Sequence, residues 1–206
     1  MPTFSAAELE RAFIRYWRTG AVGEEWDAWA DLFTENALYV EHVLGTMHGR
    51  EAIRAWIKPI MAQYGEVYTA YEWHMVDPAS GRICVYMQNR RDHPSGTGVI
   101  DFPGITILHY AGGGRFDYEE DFWAVPGAQA STTEYEAARK AHDREHRKKM
   151  TRLDWGRGPE WTRGGRSYAE RRSIADLGRS AKRIARGVFA TGWGRVAASC
   201  RGGRFA

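Results

Sequence analysis

The chain has 206 residues, is 43% hydrophobic and 13% aromatic, and carries a formal net charge of +3. That length suits one well-buried domain, no apolar run reaches the ~18 residues of a membrane span, and two cysteines, Cys84 and Cys200, are too few for a disulfide scaffold. The charge is unevenly spread: residues 1–138 hold 10 Lys+Arg against 20 Asp+Glu and residues 139–206 hold 19 against 6, which predicts an acidic globule with a basic tail.

In chain order, residues 5–18 read as a helix with Ser5 as its cap, Glu8 at the capping-box spacing, and Leu9, Phe13, Tyr16 and Trp17 as its stripe. A second helix shows Trp26, Trp29, Ala30 and Phe33 at helical spacing. Thr34-Glu35-Asn36 then reads as a turn into a strand over 37–42. Within that strand Tyr39 and Glu41 share one face, while Leu38, Val40 and His42 share the other. Gly45 to Gly49 reads as a loop, and residues 50–64 as a third helix. Alternating runs near 66–77, 82–92, 98–110 and 115–123, separated by Gly- and Pro-containing turns, predict strands. Helices first and a meander afterwards give an α+β fold. The expected form is a cone-shaped, strongly curved, mostly antiparallel sheet with three N-terminal helices over its concave face. The cone would end near residue 128. A charged helical extension over 129–155, with its helix at 131–150, and a basic Gly/Arg-rich tail over 156–206 would follow. The tail holds one amphipathic helix, striped by Ile174, Leu177, Ala181, Ile184 and Val188. His142-Asp143-Arg144-Glu145-His146 matches a zinc-peptidase pattern, but the flanking Arg139, Lys140, Arg147, Lys148 and Lys149 oppose a cation, so no metal site is expected.

Three stretches carry a family resemblance: Phe33-Thr34-Glu35-Asn36-Ala37 entering a strand, Gly49-Arg50-Glu51-Ala52-Ile53 opening a helix, and Gly114-Arg115-Phe116 through Asp121-Phe122-Trp123 as the last strand. On these the first ~125 residues resemble the nuclear transport factor 2-like superfamily, which includes SnoaL-like polyketide cyclases, ketosteroid isomerases and limonene-epoxide hydrolases. The resemblance sets Glu41 where the isomerases keep a proton-shuttling carboxylate and Tyr16 near their oxyanion-hole tyrosine. It sets Tyr39 and Asp121 where the epoxide hydrolases keep a water-holding tyrosine and an aspartate. Thr106 replaces the isomerases' second, acidic oxyanion donor. The hydrolases' Arg-x-Asp pair has a literal match at Arg90 and Asp92, whereas alignment by hydrophobicity turns Asn89 and Arg91 inward instead.

The implied catalytic set is Glu41 as general base, Asp121 as partner acid or water-orienting carboxylate, and Tyr16 and Tyr39 as donors. Trp29, Phe33, Trp56 and Trp123 would line the cone, with Asn89, Arg90 and Thr106 fixing polar groups of the substrate. Glu119 shares the face of Asp121, and His42, Asp92 and His109 form a second tier. The expectation is a cofactor-independent acid–base enzyme acting on a hydrophobic small molecule as an isomerase, cyclase, dehydratase or epoxide hydrolase. The alternative is a non-catalytic binding or assembly module whose basic tail recruits a partner. A homodimer is implied by the resemblance. The start of the chain lacks a basic-then-apolar leader, so a cytoplasmic location is expected. The tail would contact an acidic partner or surface, without specific nucleic-acid recognition.

Overall fold

The computed structural model describes residues 4–145. Helix α1 (Ala6–Trp17) starts where the Ser5 hydroxyl accepts from the Glu8 amide at 3.1 Å, and it buries Leu9, Ala12, Phe13, Tyr16 and Trp17. A π-helical turn over Arg18–Val22 leads to the short α2 (Trp26–Ala30). There Gly20 admits a close approach: a Cβ on it would lie 2.4 Å from Cδ1 of Trp29. Strands β1 (Phe33–Glu41) and β2 (Gly45–His48) precede α3 (Arg50–Gln63). Strands β3 (Tyr68–Asp77), β4 (Arg82–Asp92), β5 (Val99–Gly112) and β6 (Arg115–Trp123) complete one sheet in the order β2-β1-β6-β5-β4-β3. All neighbours are antiparallel except β1 and β6, which run parallel and so bring the first and last long strands together.

The α+β architecture expected from the pattern is the one observed, a curved sheet packed by helices. Its main core joins Leu9, Phe13 and Trp17 of α1, Trp29 of α2 and Ile53 and Ile57 of α3 to the inward residues Ile83, Val85, Leu108 and Phe116 of the strands. The opposite face carries exposed Trp73, Met75, Ile105 and Phe122.

Four local readings change. The second helix stops at Ala30, because the Leu32 carbonyl accepts from the Phe116 amide at 2.8 Å and Phe33 pairs with Phe116, drawing the chain into β1. Thr34-Glu35-Asn36 accordingly belongs to β1, at a register shift between Phe33 and Leu38 rather than a turn. The supposed loop at Gly45 is an edge strand that buries only Met47. The later helix, α4 (Val125–Ala141), starts six residues before Ser131, with Pro126 in its first turn. It buries Gly127, Ser131, Tyr135 and Ala138 in place of being exposed all round. His142 caps it, while His146, Cys200 and the whole 156–206 tail with its amphipathic stripe lie outside the described residues.

Candidate active site

Strand β6 alternates its side chains, so Glu119, Asp121 and Trp123 point to the concave face while Glu120 and Phe122 point away. Register aligns them with their neighbours: Tyr39 with Glu119 and Glu41 with Asp121 across the parallel pair, and Leu108 with Glu119 and Thr106 with Asp121 across the antiparallel pair. Helix α1 adds Tyr16, whose hydroxyl donates to Oε1 of Glu119 at 2.6 Å. The Tyr39 hydroxyl donates to Oδ2 of Asp121 and the Thr106 hydroxyl to Oδ1. Glu41 is held separately: its Oε1 accepts from Trp123 Nε1, and its Oε2 accepts from the amides of Val43, at 2.8 Å, and Leu44. Tyr16, Tyr39, Glu41, Thr106 and Glu119 are all buried.

Burial dominates the electrostatics. It pushes the Glu119 carboxyl well above the ordinary carboxylate range, and the neighbouring Asp121 charge pushes the same way. It raises Asp121 to about 6, even though hydrogen bonds from Thr106 and Tyr39 favour the anion there. Tyr16 and Tyr39 rise well above the usual phenol value, first through burial and then through the carboxylates beside them, so both remain protonated donors near neutrality. Two buried polar atoms lack a hydrogen-bond partner in this region of the core, Oε2 of Glu119 and Nε1 of Trp56, whose ring lies 5.0 Å from that of Tyr39. Unpaired buried groups of this kind cost about 1–3 kcal/mol each, so they mark positions that a ligand's polar atoms would stabilise.

Of the residues expected from sequence, the fold brings together Tyr16, Tyr39, Glu41, Thr106, Glu119, Asp121 and Trp123. The Trp29 ring sits 5.6 Å from Tyr16 and 4.9 Å from Phe33, and Trp123 sits 5.8 Å from Phe102. Asn89 is opposite Phe102, with its Nδ2 directly over Gly104, 3.1 Å from where a Cβ would be.

Four others are elsewhere. In the register of β4, Asn89 and Arg91 share one side and Arg90 the other, so Arg90 is buried against Asp101 at 3.0 Å and does not meet the carboxylates. Asp92 accepts from the Tyr68 hydroxyl at 2.7 Å. His42 pairs with Glu120 at 2.8 Å and His109 with Asp117 at 2.6 Å, both through the outward residues of their strands. Arg91 lies under α4, donating to Ser131 Oγ at 3.0 Å with its guanidinium 5.3 Å from the Tyr135 ring centre. Sequence reasoning missed how Glu41 is anchored. Two of its donors are backbone amides of the turn after β1, which no side-chain pattern announces.

The fold agrees with known structures. An epoxide hydrolase from M. tuberculosis, of the limonene-epoxide-hydrolase type, superposes with a TM-score of 0.52 at 12% identity, over 66% of this chain and 96% of that one. A protein from Catenulispora acidiphila with a ketosteroid isomerase-like fold, solved with trimethylamine, gives 0.47 at 19% identity over 58% and 91%. The epoxide hydrolase/cyclase-like enzyme SalBIII, from pyran ring formation in salinomycin, gives 0.48 at 16% identity over 58% and 92%. No curated protein matches the sequence significantly. The sequence profile of the SnoaL-like domain matches residues 11–117, about half of the chain and most of the sheet just described, and the chain therefore belongs to the SnoaL-like domain family.

Proposed function

We propose that the protein is a cofactor-independent acid–base enzyme acting on a hydrophobic small molecule held among Trp29, Phe33, Trp56 and Trp123. The observation that carries this reading is the pair Glu119 and Asp121, two residues apart on one face of β6, the first buried, the second half-buried, and both raised in pKa. Two carboxyls whose environments differ in this way divide the work: one stays protonated and donates, the other ionises near neutrality and accepts. Glu119 is the acid, because its Oε2 has no partner and the Tyr16 bond orients the group. Asp121 is the base, with Tyr39 and Thr106 each occupying one lone pair and leaving others free. Glu41, first expected as the base, already accepts three N–H bonds, which tie its carboxyl group to Trp123 and to the turn after β1. Isomerisation, cyclisation, dehydration and water addition to an epoxide all draw on such a pair. The epoxide hydrolase among the similar structures puts epoxides in the screen.

The test is a screen of apolar enones, cyclisable polyketide mimics and epoxides against the wild type, Glu119→Gln and Asp121→Asn. Turnover is expected to rise with pH through about 6 and to fall by about 10²–10⁴-fold in each variant. Wild-type rates in both variants would remove the reading. A non-catalytic binding module is the second reading, favoured by how closed the cluster is, with Glu119 2% and Thr106 3% exposed. It would show as tight binding of an apolar ligand that both variants keep.

The protein is further proposed to be a homodimer through its outer sheet face. There Trp73, Tyr86, Ile105 and Phe122 stand in one register row across four strands, and three of the four are exposed. An apolar row of this kind marks an interaction surface.

A further inference from the structure

Away from the acid pair, three arginines gather at the β5–β6 turn. Arg15 of α1, Arg50 at the start of α3 and Arg115 at the start of β6 line one cavity of about 320 Å³, together with Leu32, Gly113 and Gly114. That size is at the small end of small-molecule sites. Among the described residues none of the three arginines forms an ion pair, whereas Arg54, Arg90, Arg91 and Arg139 all do. The one acid on the lining, Asp31, is engaged by Nη2 of Arg54 at 2.7 Å. Arg50 is held by donation from its Nε to the Phe33 carbonyl at 2.8 Å, which orients the guanidinium and keeps its two terminal nitrogens for a ligand. The turn itself is Gly112-Gly113-Gly114 at φ +93°, +61° and +74°, a run that only glycine adopts without strain. It leaves that wall bare, and Nη1 of Arg15 lies 3.6 Å from where a Cβ on Gly114 would stand.

Three guanidinium groups around one small cavity repel one another, and an anion of charge −2 reverses that repulsion while matching their planar forks. We propose that this cavity binds a phosphoryl group, either inorganic phosphate or the phosphate of a monoester. The proposal does not depend on the acid pair, though the two sites share elements: Arg15 precedes Tyr16, and Arg115 precedes Phe116, whose ring packs 5.4 Å from Tyr16.

The experiment follows the amide resonances of Gly113 and Gly114 in the full-length chain during titration with sodium phosphate, at constant ionic strength set by chloride. These local probes separate the cavity from the basic tail, which all variants share. Saturable shifts are expected, with the dissociation constant raised at least tenfold in Arg15→Ala/Arg115→Ala and unchanged in Arg82→Ala, a basic residue off the cavity. Both replaced arginines are exposed, and an unchanged melting temperature checks that the variant is folded. Titration with glycerol 3-phosphate identifies the source: tighter binding than phosphate assigns a monoester, and equal or weaker binding assigns the free ion. Shifts that do not saturate, that chloride reproduces, or that survive in the double variant would overturn the site.

Discussion

Asp121 ionises in a setting that opposes the charge. Its ordinary pKa of 3.8 applies in the unfolded chain, and the folded value is about 6. Between those values the folded state holds more of the proton than the unfolded state does. The contribution of Asp121 to stability is therefore greatest below pH 3.8 and declines as pH rises to about 6. A rise of about two units corresponds to about 3 kcal/mol. Glu119, displaced in the same direction, adds to the decline. Urea midpoints measured at pH 4 and pH 7 are expected to fall in the wild type and to fall less in Asp121→Asn, which has nothing to ionise there. An equally steep fall in the variant would locate the titration elsewhere. Tyr16→Phe removes the donor to Glu119 Oε1 and should destabilise the fold by about 1–3 kcal/mol. It should also move the Glu119 carboxyl further upward, because the lost bond favours the anion, and carboxyl-carbon NMR reads that shift.

At the scale of elements, the π-helical turn fixes how α2 approaches the aromatic wall. Gly20→Ala places a methyl against the Trp29 ring, and overpacking of this kind costs about 1–3 kcal/mol. A melting temperature unchanged by this substitution would mean that the ring moves freely, contrary to its packing against Tyr16, Phe33 and Tyr39. How much of these elements was legible follows from what each one buries. Strands β3 to β6 alternate plainly, and α1 carries a full stripe, so their spans were readable to within a few residues. Strand β2 was not, because an edge strand that buries only Met47 has no alternation to show. The start of β1 was hidden by polar Thr34, Glu35 and Asn36, which are strand through backbone pairing alone. Parity placed Tyr39 with Glu41, and Glu119 with Asp121, because same-face neighbours need only a count of two. It misplaced Arg90, whose direction depends on a single-residue register choice settled by pairing with Asp101. Which donor meets which carboxylate is set by the packing of α1 on the sheet for Tyr16 and by strand pairing for Tyr39, Thr106 and Trp123, and no local pattern encodes either.

At the scale of the molecule, the proposed dimer would form through the outer sheet face. Met75→Glu combined with Ile105→Glu puts charge into the exposed apolar surface without touching the buried core, since the two side chains are 60% and 36% exposed. Sedimentation equilibrium is expected to give a dimer for the wild type and a monomer for this variant, with the fold retained by circular dichroism. A monomeric wild type would end the proposal of an outer-face dimer. The parallel pairing of β1 with β6 has a consequence in time. The hydrogen bond between Tyr16 and Glu119 spans 103 residues, and the bonds from Tyr39 to Asp121 and from Trp123 to Glu41 span 82 each. Contacts so distant in sequence form late and slow the folding of the whole. On a ribosome that releases the N-terminus first, β1 has no partner on its β6 side until residue 123 has emerged. The chain thus acquires its acid pair and closes its sheet in the same event, and any fragment ending before β6 leaves that edge of β1 open to other chains.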